Sequence, residues 1–372
     1  MGTQTKTIAV VLAGAVAKGA FEAGVIRALV RADVKIARIV AASSGALNGT
    51  VLASAVRTRT LIEGAEALVA LWRDHAQWSE VFHASLRDLL RRDGVSDQKH
   101  LLALLRAHIL PTQPNDPDDV NLRIIVAALN GCRGAIGARP ATTFESVCDF
   151  DTTAFGSREG LERVFEAATA SAAFPIVFAP VEVAGVGPCV DGGAVNNTPM
   201  KWALDGPIGA GVDAIVVVAT TVEQRAEPPE LGGVGLAGHL ADMLIEERLY
   251  RDLREAEQVN DALRQLDALV EQRVLDGAQL VQVKRALGWG RRRPVPVLQI
   301  RPSTVLAGNA FAGFFHQDIR SEHLEAGFLR GLEVLGGAGF GLRQASVRHD
   351  DVVGVAADAV VLPGAVERDR AE

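Results

Sequence analysis

The sequence predicts an α/β fold on a mostly parallel sheet, and three observations carry that prediction. Residues 7–13 (TIAVVLA) form a continuous apolar, β-branched run, the pattern of a strand buried on both faces. Residues 36–42 form a second run, broken only by Arg38. Each run opens into a turn of small residues followed by helical spacing, so strand, turn and helix occur twice within the first fifty residues or so. A chain of 372 residues, 48% hydrophobic and 22% charged, can bury a sizeable core as one large domain or two.

The remaining elements follow in chain order. After the first strand, Ala20, Ala23, Gly24, Ile26, Leu29 and Val30 carry helical spacing. Residues 61–109 read as helical, with Leu61, Ala65, Leu68, Leu71 and Trp72 on one face and denser leucine clusters at 89–90 and 101–105. Residues 111–119 (PTQPNDPDD) are a loop by composition. Strand chemistry returns at 122–129 (LRIIVAAL), 215–219 (IVVVA) and 295–300 (VPVLQI). Between the last two, residues 240–275 read as one long helix. Its apolar stripe includes Leu240, Leu244, Leu249, Leu253 and Leu263, and Glu247 faces Arg251 one turn on. That stripe is expected to pack on the protein's own sheet rather than on a partner helix. A closing helix is expected around 328–335. The organisation expected is one domain over 1–335 and an irregular, glycine-rich tail over 336–372.

Composition excludes several classes. The net charge of −7 lacks the basic footprint of a general nucleic-acid binder. Cys132, Cys148 and Cys189 include no C-x-x-C pair, which argues against a disulfide scaffold or a cysteine-rich zinc site. The apolar run over 8–17 is shorter than the ~20 residues a spanning helix needs. Lys18 and Glu22 then break any signal-peptide layout, so a cytoplasmic protein is expected.

Three short motifs carry the candidate chemistry. Gly14-Ala15-Val16-Ala17-Lys18-Gly19 lies between a strand and a helix. It fits neither G-x-G-x-x-G, because position 16 is Val, nor a phosphate-loop motif, because Lys18 precedes Gly19 and Ala20. What remains is a turn presenting backbone N–H groups at a helix start, suited to an anion or a developing oxyanion, or simply a structural turn. Ala41-Ala42-Ser43-Ser44-Gly45 follows the second strand. Ser43 stands two residues before glycine, as in G-x-S-x-G, with Ala41 in place of the first glycine. A helix-capping serine is the alternative. Asp191-Gly192-Gly193 ends a short strand candidate, and Asp-Gly is also a common turn. A nucleophilic serine needs a proton acceptor. None of the eight histidines sits just beyond an obvious core strand, whereas Asp191, backed by two glycines, can approach another backbone closely.

In this order the motifs resemble the patatin-like phospholipases. Residues 12–25 (LAGAVAKGAFEAGV) resemble that family's oxyanion segment, with Lys18 and Gly19 matching. Residues 41–48 (AASSGALN) resemble its nucleophile elbow, where Ala41 and Gly45 support the turn. Residues 170–181 (ASAAFPIVFAPV), with Asp191-Gly192-Gly193 and Asn197-Thr198-Pro199, resemble a third block. The resemblance implies a three-layer α/β/α fold and acyl-ester hydrolysis by a Ser–Asp dyad without histidine or cofactor. Carried over, Ser43 is the nucleophile, Asp191 the general base, and the amides of Gly14, Ala15 and Val16 hold the oxyanion. The family usually has three successive glycines there, and this chain keeps the first. An amide survives the change, but a position at positive φ strains Ala, and Val more.

The expected partner is a phospholipid or other acyl ester, with peripheral membrane contact as an option and no nucleic acid. Lys18 is expected to tie the turn to its surroundings rather than to meet a lipid phosphate. Trp72, Trp78, Val81 and Phe82 are expected in the core, with an acyl channel or bilayer contact as the alternative. Arg291-Arg292-Arg293 reads as a solvated loop before a headgroup site. The alternatives to hydrolysis are a weak or inactive lipid-binding protein and an acyltransferase.

Overall fold

The computed structural model describes residues 5–81, 98–112, 118–136, 139–175, 177–205, 211–222, 233–290 and 292–342. These belong to one compact unit, bounded at Leu342. Its centre is an eight-stranded sheet. The strands are β1 (Lys6–Leu12), β2 (Val34–Ala42), β3 (Asn121–Ile136), β4 (Arg139–Phe150), β5 (Val181–Val183), β6 (Gly187–Asp191), β7 (Ala214–Val218) and β8 (Val297–Ile300). They run in the order β5-β6-β3-β2-β1-β7-β8, with β4 on β3. The pairs among β3, β2, β1, β7 and β8 are parallel, and the pairs involving β4, β5 and β6 are antiparallel.

The apolar runs are continuous because the parallel strands are covered on both faces. Alternate residues of β1 enter different cores: Ile8, Val10 and Leu12 one, Ala9 and Val11 the other. The first core is closed by α1 (Gly19–Leu29), α2 (Ser44–Thr58), α3 (Leu61–Ala70), α4 (Lys99–His108) and α5 (Arg158–Ser171). The second is closed by Met200, Ala203 and the long helix α6 (Gly233–Glu271), through Leu249 and Leu253. Helix α7 (Gly277–Ala286) follows, and α8 (Gln317–Gly337) returns to the first face. The fold is thus three-layered α/β/α, and α6 packs on the sheet as its stripe predicts.

Several boundaries differ from the sequence reading. The strand expected to stop at 129 runs to Ile136 and returns as β4, whose polar, half-exposed residues show no apolar run. The helical region after residue 61 is broken, with a π-helical turn at Leu71–His75 and a short helix at Trp78–Val81. The leucines at 89–90 and Phe82 lie outside the described residues. Helix α6 starts earlier than expected and stops at Glu271, where Asp276 and Gln279 form a capping box that starts α7. The side chains of Leu240 and Leu244 also lie outside the described residues. Helix α8 begins eleven residues before its expected start, and Phe340 and Leu342 beyond it still pack on the unit. Residues 343–372, most of the expected tail, are not described. Arg38, the break in the second run, is buried within β2, where it donates to Asn121 Oδ1 at 2.8 Å and to the carbonyl oxygens of Trp202 and Asp205.

Candidate active site

Ser43 stands between β2 and α2, and this strand-to-helix turn forces it to φ 54°, ψ −132°. Positive φ is uncommon outside glycine and persists only where neighbours hold it. Here the Ser43 N–H donates to Ser171 Oγ at 2.9 Å, and that hydroxyl donates to the Ile125 carbonyl at 2.6 Å. The turn also brings α2 against β1 so closely that a Cβ on Gly45 would lie 2.6 Å from the Leu12 carbonyl oxygen. Ala41, fully buried, sits in register between Leu12 and Ile124. The start of α2 directs its positive end at Ser43.

Asp191 is the last residue of β6 and is 4% exposed. Its Oδ2 accepts the Ser43 hydroxyl at 2.7 Å, and its Oδ1 accepts the Gly193 N–H at 2.7 Å. Burial pushes the Asp191 carboxyl up to about 6, against the pull of the Ser43 and Gly193 hydrogen bonds. The Asp191 N–H donates to Ala173 O and the Gly192 N–H to Ser171 O, so the end of α5 holds both partners. Gly192 is required by contact, since a Cβ there would lie 2.0 Å from the Ile125 carbonyl oxygen. Among the described residues no histidine bonds to Ser43 or Asp191. The fold brings the serine and the aspartate together from positions 148 residues apart.

The turn after β1 departs from the expectation of three donor amides. The Gly14 N–H donates to Asn197 O at 3.0 Å, and Asn197 Nδ2 donates back to Gly14 O at 3.0 Å. The Ala15 N–H donates to Ser44 Oγ at 3.1 Å. Two of the three expected donors are thereby occupied by the protein itself, and the Val16 N–H has no acceptor among the described residues. The same holds for the Ser44 N–H, at the start of α2. Backbone strain falls on one of the two replaced glycines. Ala15 sits at φ −146°, open to any residue, whereas Val16 sits at φ 52°. A β-branched residue there costs on the order of 1–3 kcal/mol.

Val16, Ser43, Ser44 and Asp191 line a cleft of about 940 Å³, including its open mouth. Elsewhere its walls are mostly aliphatic and aromatic, among them Leu68, Trp72, Leu104, Phe174 and Phe314. Trp72 and Val81 therefore pack in the core and line the cleft at once, while Trp78 stacks on Phe315 at 4.7 Å. Trp72 is locked by its Nε1–H to Asn48 Oδ1 at 2.7 Å, and it lies where a Cβ on Gly19 would be 2.6 Å from its ring. Asn48 in turn donates to Gly19 O and to Glu22, whose fully buried carboxyl is held well above the usual carboxylate range by that burial. Lys18 does not line the cleft. Burial first, and then the Lys18 charge, holds the His323 imidazole of α8 below its ordinary value. Arg293 pairs with Asp213 at 2.7 Å, while Arg291 lies outside the described residues. Among the described residues no three His, Cys, Asp or Glu side chains group as metal ligands.

Sequence reasoning singles out Ser43, Asp191 and the turn, which the fold brings together, but gives no role to Ser44, Ser171 or Asn197. The first adjoins Ser43, and the other two stand in the segments that carried the resemblance. Phe174 and Phe178, from residues 170–181, line the cleft, so that block both holds Ser43 and Asp191, through Ser171 and Ala173, and shapes the pocket. Among the described residues no helix is long and apolar enough to cross a membrane.

No curated protein matches the chain. Among solved structures, the crystal structure of VipD from Legionella pneumophila is similar, at 12% identity and a TM-score of 0.37, covering 90% of this chain and 67% of that one. The model of the patatin-like phospholipase family matches residues 10–204, more than half of the chain, from within β1 to just past the Asp191 loop. The chain belongs to the patatin-like phospholipase family, a family of lipid acyl hydrolases.

Proposed function

We propose that the protein is a serine hydrolase of lipid acyl esters, working through a Ser43–Asp191 dyad. The observation that carries the reading is the 2.7 Å contact between Ser43 Oγ and a buried Asp191, both in the wall of an otherwise apolar cleft. Ser43 Oγ attacks the ester carbonyl as Asp191 Oδ2 takes its proton. Near pH 7 the carboxyl, at about 6, is largely ionised yet closer in basicity to its task than an ordinary aspartate. The tetrahedral oxyanion is received by the Val16 N–H, with the Ser44 N–H at the start of α2 as the second donor. The carbonyl re-forms, Asp191 returns the proton to the departing alcohol, and water deprotonated by Asp191 then attacks the acyl-enzyme and releases the fatty acid as Asp191 passes that proton back to Ser43 Oγ. No cofactor enters this scheme. The substrate class is a phospholipid or related acyl ester, whose chain fills the cleft. Phe311 and Phe314 belong to that cleft, so the hydrolase unit extends beyond the family match, through α8.

The test is hydrolysis of p-nitrophenyl esters of increasing chain length by wild type, Ser43→Ala and Asp191→Asn. Both variants are expected to fold and to lose at least 10³-fold in kcat, in line with the loss of a covalent nucleophile or its base. Turnover by Ser43→Ala at the wild-type rate would remove the dyad. An inert wild type that still retains fatty acid would favour a lipid-binding role, and ester exchange with an added alcohol would indicate acyl transfer.

A further inference from the structure

We infer that Ser44, the residue after the nucleophile, is a positioning residue that compensates for valine at position 16. The inference rests on the Ser–Asp hydrolase reading above. Its starting point is the contradiction at Val16: a β-branched residue holds φ 52° at the edge of the reacting centre, in a segment where glycine is the natural occupant of such an angle. Such a conformation persists only if the flanking peptides are fixed from outside.

The flanking peptides are fixed at four points, one of them within the turn, where the Lys18 N–H donates to Ala15 O at 3.0 Å. Asn197 holds both the N–H and the carbonyl of Gly14. The Ala17 N–H donates to Ala310 O at 3.0 Å. Between them, Ser44 Oγ accepts the Ala15 N–H at 3.1 Å in a buried setting, which leaves the Val16 N–H as the turn's free donor. Ser44 is itself 5% exposed and opens α2, so its hydroxyl is carried on a rigid element. Because Ser43 and Ser44 are consecutive, the same backbone that aims the nucleophile also anchors the oxyanion turn. Position and alignment of the Val16 N–H relative to Ser43 Oγ are set through one short path, the Ser43–Ser44 backbone and a single hydrogen bond, not through the valine's own preference. Without the Ser44 hydroxyl the Ala15 N–H loses its acceptor and the Gly14–Ala15 peptide is held through its carbonyl alone, so that Val16 relaxes toward negative φ and its N–H turns away. Glycine at 16 takes positive φ without strain and does not need the anchor.

The experiment measures the effect of Ser44→Ala in two backgrounds, wild type and Val16→Gly, by steady-state ester hydrolysis and by fluorophosphonate labelling of Ser43. In the wild-type background kcat is expected to fall about 10- to 100-fold with KM within twofold, a fraction of what loss of an oxyanion donor costs. In the Val16→Gly background the same substitution is expected to cost less than threefold. Melting curves accompany each variant, and if Ser44→Ala does not fold, Ser44→Cys, similar in shape but a weak acceptor, takes its place. An unchanged kcat in Ser44→Ala overturns the inference. So does an equal loss in both backgrounds, which marks a role other than holding Val16. A wild type that neither turns over esters nor reacts with the fluorophosphonate overturns the hydrolase reading itself, and the role of Ser44 with it.

Discussion

Asp191 brings a carboxylate into full burial with two hydrogen bonds, and the balance of these effects leaves it at about 6. Burial raises the value because the charged form loses water, while the Ser43 O–H and Gly193 N–H bonds favour that charged form and limit the rise. In the proposed scheme Asp191 is the general base and must be ionised. Activity is therefore expected to be flat above pH 7 and to fall tenfold per pH unit once the pH drops well below about 6. A kcat/KM profile measured from pH 4.5 to 8.5 checks this; an acid limb centred near 4 would mean that burial does not govern the base. Glu22 stands behind the same turn and shows what happens when the hydrogen bonds are too few for the burial. Among the described residues its Oε1 has no hydrogen-bond partner, and its carboxyl lies well above the ordinary range. It is a buttress for Asn48 and Trp72 rather than a second acid at the reacting centre.

Among the elements, the pairing of α1 with α8 decides whether the oxyanion turn has a rigid support, because α1 begins directly after Lys18. The two helices touch backbone to backbone. A Cβ on Gly24 would lie 2.0 Å from the Leu324 carbonyl oxygen, and one on Gly327 would lie 2.0 Å from the Phe21 carbonyl oxygen. Gly327→Ala must push the helices apart, and overpacking of this kind costs about 1–3 kcal/mol or more. The expected result is a lower midpoint in a denaturant melt together with a loss of activity. An unchanged midpoint would show that the crossing accommodates a methyl group. Helix α5 plays the matching role on the other side. Its last turn supplies Ser171 to the elbow, and the residues just beyond it supply Ala173 to Asp191, so the Ser43–Asp191 distance is set where α5 ends.

At the scale of the whole molecule, the cleft is roofed by segments far apart in the chain: α3 and the π-helical turn after it, α4, the residues after α5, and Phe311 and Phe314 before α8. An apolar wall of this kind rewards each methylene of the acyl chain by up to ~0.8 kcal/mol, or about fourfold in kcat/KM. The ester series is therefore expected to rise through medium chain lengths and to level off once the cleft is filled. Leu104→Trp, which adds volume on the α4 wall, is expected to move that plateau to shorter chains while leaving the rate on the shortest ester within about twofold. A parallel drop at every length would point to damage at the dyad instead.

Much of this was determined by the sequence alone. The β1 and β2 runs dictate strands buried on both faces, and the small residues after them permit turns tight enough to expose Ser43. Asp191 followed by two glycines marks a backbone that another can approach closely. These are local patterns of size and polarity, and local patterns survive without knowledge of the partner. Only the tertiary structure decided which amides remain free. Gly14 and Ala15 present N–H groups as Val16 does, yet Asn197, 183 residues away, and Ser44 occupy them. The edge strand β4 escaped notice for a related reason: one face of it meets solvent, so its residues need not be apolar. The strain also had to be seen in place. Alanine and valine both replace glycine in sequence, but φ is set by the path of the folded chain, and that path puts the positive angle on Val16 and spares Ala15.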